Sequence, residues 1–86
     1  MYLHLGKDVT IKAGDLIGIF DLDNTTISPD TRDFLARCEK NDIVTNVSDD
    51  LPKSFVVCRY NGETHVFLSA ISPTTLKKRA ERWRRQ

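Results

Sequence analysis

A chain of 86 residues makes one small domain, and a domain of that size buries only about 60% of the surface its unfolded chain exposes. With 40% hydrophobic and 29% charged residues it has the composition of an ordinary soluble globular protein. No apolar run approaches the ~18 residues of a membrane span, and the opening MYLHLGKDV lacks the basic-then-apolar layout of a signal peptide. Cys38 and Cys58 are too few for a disulfide framework and suit a reducing cytoplasm. The net charge of +1 is uneven: residues 75–86 carry six Lys or Arg against Glu81, which leaves +5 there and −4 on the rest. A cationic end on an acidic body suits anionic partners or the acidic face of another subunit. A core this thin is commonly completed by a partner copy, so self-association is expected.

In chain order, Tyr2–Leu5 reads as a short strand before a turn at Gly6. Val9–Lys12 and Leu16–Asp21 flank Ala13-Gly14-Asp15 and are expected to pair as a hairpin. Ser28-Pro29 then opens a helix over about Pro29–Asn41, because serine caps free N–H groups and proline at the first helical position forfeits no bond. That helix places Phe34, Leu35 and Cys38 on one side. Ile43–Val47 is the next strand, followed by the polar loop Ser48–Pro52. In SFVVCRYNGETHVFLS, Asn61-Gly62 between two β-rich runs predicts a two-residue turn with positive φ at both positions. Setting Tyr60 opposite Glu63 pairs Cys58 with His65, Val57 with Val66, Val56 with Phe67 and Phe55 with Leu68. Both faces of this hairpin are then apolar, and the face away from the helices is expected to need another cover, such as a second subunit. Ser72-Pro73 opens the last helix, about Pro73–Arg85, with Leu76, Ala80 and Trp83 as a narrow apolar stripe in a basic shell. Both helices start with ISPxT, 44 residues apart. Duplication and the shared steric preference for Ser-Pro both account for that. The expected class is α+β, a single domain over residues 1–86, mainly antiparallel, in the order βββαβββα.

The string IFDLDNTT matches the opening motif of haloacid-dehalogenase phosphatases, in which the first Asp attacks phosphorus and the second handles the proton. Asp21 and Asp23 have the right spacing, since alternate strand residues face the same way. The motif also needs a phosphate-binding hydroxyl, a cation and distal acids from later strands of a parallel sheet. Parallel strands require crossovers of ~10–12 residues or more, and too little chain follows Asp23 to build them. A polar loop between a buried strand and a capped helix explains Asp23 to Thr26 better. The expected catalytic set is none.

His4, Cys38, Cys58 and His65 are metal-binding residue types, but no two are close in sequence as in structural zinc sites. No metal and no cofactor are expected, and buried cysteines more often act as small hydrophobes. The last helix is the concentrated source of charge: Lys77, Lys78, Arg79 and Arg82 precede Arg84 and Arg85. Cations there are stabilised by the helix dipole in any case, so a solvated tail and a nucleic-acid contact both explain them.

Four blocks in order, YLHLGKDV, IFDLDNTTIS, DLPKSFVV and VFLSAISPTTLKKR, resemble the RemB family of extracellular matrix regulators, siblings of RemA, over nearly the whole chain. The resemblance implies a cytoplasmic regulator of matrix and biofilm genes, of a kind typical of Gram-positive spore-formers, and no phosphatase activity. For RemA-like members it further implies DNA-binding activators that close into rings, with basic residues on the ring surface meeting the DNA backbone. Here Asp15 stands where the RemA pattern has an arginine, and Asp50 and Leu51 stand near its arginine pair. Lys53 keeps the following basic position. Each lost phosphate contact lowers the salt slope of binding by ~0.9. The expected function is a non-enzymatic, ring-forming homo-oligomeric regulator of matrix gene expression. Its candidate double-stranded-DNA contacts are Lys53, Lys77, Lys78, Arg79 and Arg82. The rival is a protein–protein scaffold, or a hetero-ring partner of a RemA-like protein, without DNA binding of its own.

Overall fold

The computed structural model describes residues 1–22 and 28–84, the side chains of Trp83 and Arg84 excepted. Asp23 and Thr25 of the phosphatase-like string therefore lie outside the described residues, as do Arg85 and Gln86. The element order is β1 (Tyr2–Gly6), β2 (Val9–Lys12), a single 3-10 turn (Ala13–Asp15), β3 (Leu16–Asp21), α1 (Pro29–Lys40), β4 (Val44–Asn46), β5 (Ser54–Tyr60), β6 (Glu63–Ser69) and α2 (Pro73–Arg84). This is the expected α+β arrangement. A four-stranded sheet in the order β3-β5-β6-β4 stands beside the two-stranded β1-β2 ribbon.

The β5–β6 hairpin forms in the expected register, Tyr60 opposite Glu63 through Phe55 opposite Leu68. Its turn residues Asn61 and Gly62 sit at φ of 54° and 82°, the positive values that match the twist of the flanking strands. Both helices are capped as the shared ISPxT suggests. The Ser28 Oγ accepts from the Thr31 N–H and the Ser72 Oγ from the Thr75 N–H, each at 3.2 Å.

Three expectations need correction. β2 and β3 do not form a hairpin. β2 is already taken by β1 across the turn at Lys7-Asp8, and the Ala13 N–H closes that ribbon on the Met1 carbonyl at 3.0 Å. After the 3-10 turn the chain crosses to the larger sheet, where β3 pairs with β5 and sets Phe20 opposite Phe55. The strand expected over Ile43–Val47 contracts to Val44–Asn46 and runs parallel to β6. Finally, both faces of the β5–β6 hairpin are covered by the chain itself. On one face Val56, Cys58 and Phe67 pack with Ile19, the ribbon residues Leu3, Leu5 and Ile11, and Leu76 of α2. On the other face Phe55, Val57 and Val66 pack with Cys38, Phe34 and Leu35 of α1. The sheet is thus a central layer between α1 and the α2–ribbon layer.

Bonds around β6 extend the sheet and tie it to the ribbon. Val47 donates its N–H to Leu68 O at 2.9 Å and Lys53 to Ser69 O at 2.8 Å. The buried Ser69 hydroxyl donates to the Leu5 carbonyl, tying the ribbon to the sheet. Gly6 allows this approach: a Cβ built there would lie 2.6 Å from the Val47 carbonyl oxygen, and its φ is +147°.

Candidate nucleic-acid interface

The basic helix α2 has one buried side. Leu76 is fully buried against the sheet and Ala80 is half-buried. Residues turn about 100° around a helix axis per position, which sets Lys78 and Arg82 opposite Leu76 and puts Lys77 and Arg79 on the two flanks. All four are exposed, and none has an ion pair to a described residue. Their charges therefore form a solvent-facing arc, interrupted by Glu81 alone, and free to meet an anion.

Lys53 lies 24 residues before Lys77, immediately ahead of β5. Its N–H donates to Ser69 O, and its carbonyl accepts from the Leu22 N–H at 2.9 Å. The neighbouring Ser54 hydroxyl donates to Ile71 O at 2.9 Å. These bonds set the start of β5 against the segment that leads into α2, and the Lys53 side chain is exposed.

The departures from the RemA pattern lie elsewhere. Asp15 ends the 3-10 turn, where its carboxylate adds to the rise that burial imposes on the Cys58 thiol, pushed up to about 11. Asp50 lies in the β4–β5 loop, its Oδ1 accepting from the Leu51 N–H at 2.8 Å and its carbonyl from the Ser48 hydroxyl at 2.7 Å. Leu51 is 80% exposed. This loop carries no cation between Val47 and Pro52.

Asp21 is the exposed last residue of β3, an edge strand whose neighbour β5 is antiparallel. A phosphatase would instead flank this position with parallel strands that bring in the remaining catalytic groups. The metal-type residues are also dispersed. Cys58 and His65 are cross-strand partners as expected, while Cys38 lies in the core cluster on the opposite face. The His65 Nε2 is engaged by the Thr45 hydroxyl at 2.8 Å, and burial lowers its pKa, partly opposed by Asp42.

One feature escaped the sequence reading. Between β3 and α1 lies an apolar groove of about 360 Å³ lined by Ile17, Phe20, Asp30, Thr31, Phe34, Phe55 and Val57. Strict alternation would send Ile17 and Phe20 to opposite faces, but the register shifts between Leu16 and Gly18 and brings both to this groove. Ile17 is 60% and Phe20 45% exposed, while the Phe20 ring stacks on Phe55 with centroids 4.8 Å apart. Gly18 makes room for that ring, since a Cβ there would come within 2.7 Å of it. A glycine inside a strand pattern is the signal that could have revealed the bulge.

Comparison with known proteins agrees with the resemblance read from the four sequence blocks. The family model described as RemA-like, extracellular matrix regulatory protein A-like, matches residues 2–80. The chain is also 40% identical over 81 residues to extracellular matrix regulatory protein B of Bacillus subtilis (strain 168), covering 94% of this chain and 91% of that protein. The chain belongs to the RemA-like family of extracellular matrix regulatory proteins.

Proposed function

We propose that this protein is a non-enzymatic, cytoplasmic regulator of matrix and biofilm gene expression, acting as a ring-forming homo-oligomer that contacts double-stranded DNA through α2. The observation that carries the reading is the exposed arc of Lys77, Lys78, Arg79 and Arg82, opposite the buried Leu76. Such an arc meets phosphates rather than base edges, so it fixes position on the duplex while any sequence preference comes from DNA shape. A ring would present several copies of a weak contact to one duplex and raise avidity without a strong individual site. No helix among the described residues is long and apolar enough to cross a membrane.

A second reading has its own observation. Asp15, Asp50 and Leu51 stand where the RemA pattern is basic, and the β4–β5 loop presents an exposed leucine beside two aspartates. A scaffold, or a hetero-ring partner of a RemA-like protein, would use such a loop toward protein instead of DNA. Anisotropy of a labelled duplex with purified protein separates the two. Binding that weakens steeply as salt rises supports direct contact, and absence of binding at low salt transfers the function to the scaffold.

A further inference from the structure

The four-stranded sheet ends on β3 at one side and on β4 at the other. An edge strand offers unpaired N–H and C=O groups to any extended chain, and proteins commonly blunt such edges with very short strands, lysine or proline. β4 is blunted. It is three residues long, and the Asn46 side chain at its end accepts from the Ser48 N–H and hydroxyl. β3 has no such protection: its six residues, LIGIFD, include neither lysine nor proline. From Ile17 to Phe20 its backbone makes no hydrogen bond beyond the ladder with β5 among the described residues.

The apolar groove lies on the α1 face of this edge, with exposed Ile17 and Phe20 on one wall and Phe34 on the other. A strand added to β3 sends every second side chain to that face, at intervals of about 6.6 Å. Asp30 lines the groove, and Asp33 follows it along α1 in an adjoining depression. Both carboxylates are exposed and make no ion pair among the described residues. These features select an occupant. The backbone edge takes an extended chain, the groove takes apolar side chains at alternate positions, and the carboxylates take a lysine or arginine on the same face. The described strands of a second copy do not supply it. β1 and β2 commit Leu3, Leu5 and Ile11 to their own core, and β4, Val-Thr-Asn, brings no cation.

We propose that the β3 edge and its groove dock an extended segment of another protein, which joins the sheet as an added strand. Its apolar side chains at alternate positions seat against Ile17, Phe20 and Phe34, and a following lysine or arginine meets Asp30 and Asp33. In strand addition of this kind, main-chain bonds give affinity and the pockets for alternate side chains give selectivity. The site lies on the sheet face of Phe55 and Val57, whereas α2 packs on the face of Val56 and Cys58. The docking site therefore stands or falls separately from any contact of α2 with DNA.

The test uses the full chain and a blocked, fluorescein-labelled peptide, Leu-Thr-Leu-Thr-Arg-Thr-Arg, read by anisotropy. The expected result is saturable binding at low salt that weakens as salt rises. Ile17→Ser should lower affinity on the order of ten-fold, the weight of an apolar contact at the centre of an interface. Asp30→Asn combined with Asp33→Asn should lower it about five-fold and flatten the salt dependence, as expected of exposed ion pairs. Ile17, Asp30 and Asp33 are exposed, so circular dichroism should show an intact fold in both variants. A peptide of the same sequence with N-methylated central amides cannot pair with the edge and should bind at least on the order of ten-fold more weakly. Equal binding of the N-methylated peptide removes the edge strand from the site and overturns the proposal. Unchanged binding by Ile17→Ser, or no saturable binding by wild type, overturns it as well. If Ile17→Ser instead dissociates an oligomer of the protein in light scattering, the face belongs to a second copy and the proposal fails.

Discussion

Replacing Lys77, Lys78, Arg79 and Arg82 together with Ala tests the DNA reading at its carrying observation. From Lys77 to Arg82 the helix rises about 7.5 Å. A DNA strand presents a phosphate every ~3.4 Å along the axis, so one α2 lying along the backbone neutralises about two phosphates. With a salt slope of about −0.9 per phosphate, each engaged protomer contributes about −1.8. Between 50 and 200 mM salt that slope costs about tenfold in affinity per engaged protomer, and about a hundredfold for two. The quadruple variant should bind weakly on all sequences alike, keeping only the shallow slope that the remaining cations supply. Its fold should survive, since all four side chains are exposed, alanine is a strong helix former and Leu76 still packs into the core. Anisotropy of a labelled duplex at several salt concentrations measures the slopes, and light scattering verifies that assembly is unchanged. Equal affinity and equal slope for wild type and variant would remove α2 from the interface.

Leu76→Ala deletes a fully buried side chain that joins α2 to the ribbon and sheet, and should destabilise the fold by about 2–5 kcal/mol in urea titration; a loss under about 1 kcal/mol would show that α2 is not held by this residue. The Cys58 thiol is raised to about 11 by burial and secondarily by Asp15. The unfolded thiol ionises first, so this contribution is complete below pH ~8.5–9 and is lost toward pH 11 at up to ~1.4 kcal/mol per pH unit. Cys58→Ala should flatten stability over that window, and an unchanged profile would place the pH dependence elsewhere. Wild-type protein with magnesium should release no phosphate from a phosphomonoester, because Asp21 ends an edge strand with an antiparallel neighbour. Metal-dependent turnover abolished by Asp21→Asn would overturn that reading.

Local chemistry was legible in the residues themselves. Asn61-Gly62 specified a turn whose two positive φ values permit one register, and every expected cross-strand pair of β5 and β6 follows from it. Ser28-Pro29 and Ser72-Pro73 marked both helix starts, because capping and the proline ring act within a few residues. The order βββαβββα and the basic character of α2 followed from the same short-range rules.

What tertiary structure decided was every choice between distant partners. Whether β2 pairs with β1 or β3 depends on competition among strands with similar local propensities, and Ala13–Asp15 offered a turn compatible with leaving the ribbon. The parallel placement of β4, and the covering of both sheet faces by the chain's own layers, arise from packing of segments far apart in sequence. The same holds for function: the backbone of Lys53 is fixed by bonds to Ser69 and Leu22, far from it in sequence. Ile17 and Phe20 share a groove because one bulged residue breaks the alternation of β3. A period of two predicts which face each side chain takes, but a bulge is set by the fit of β3 against β5, and that fit exists only in the folded sheet.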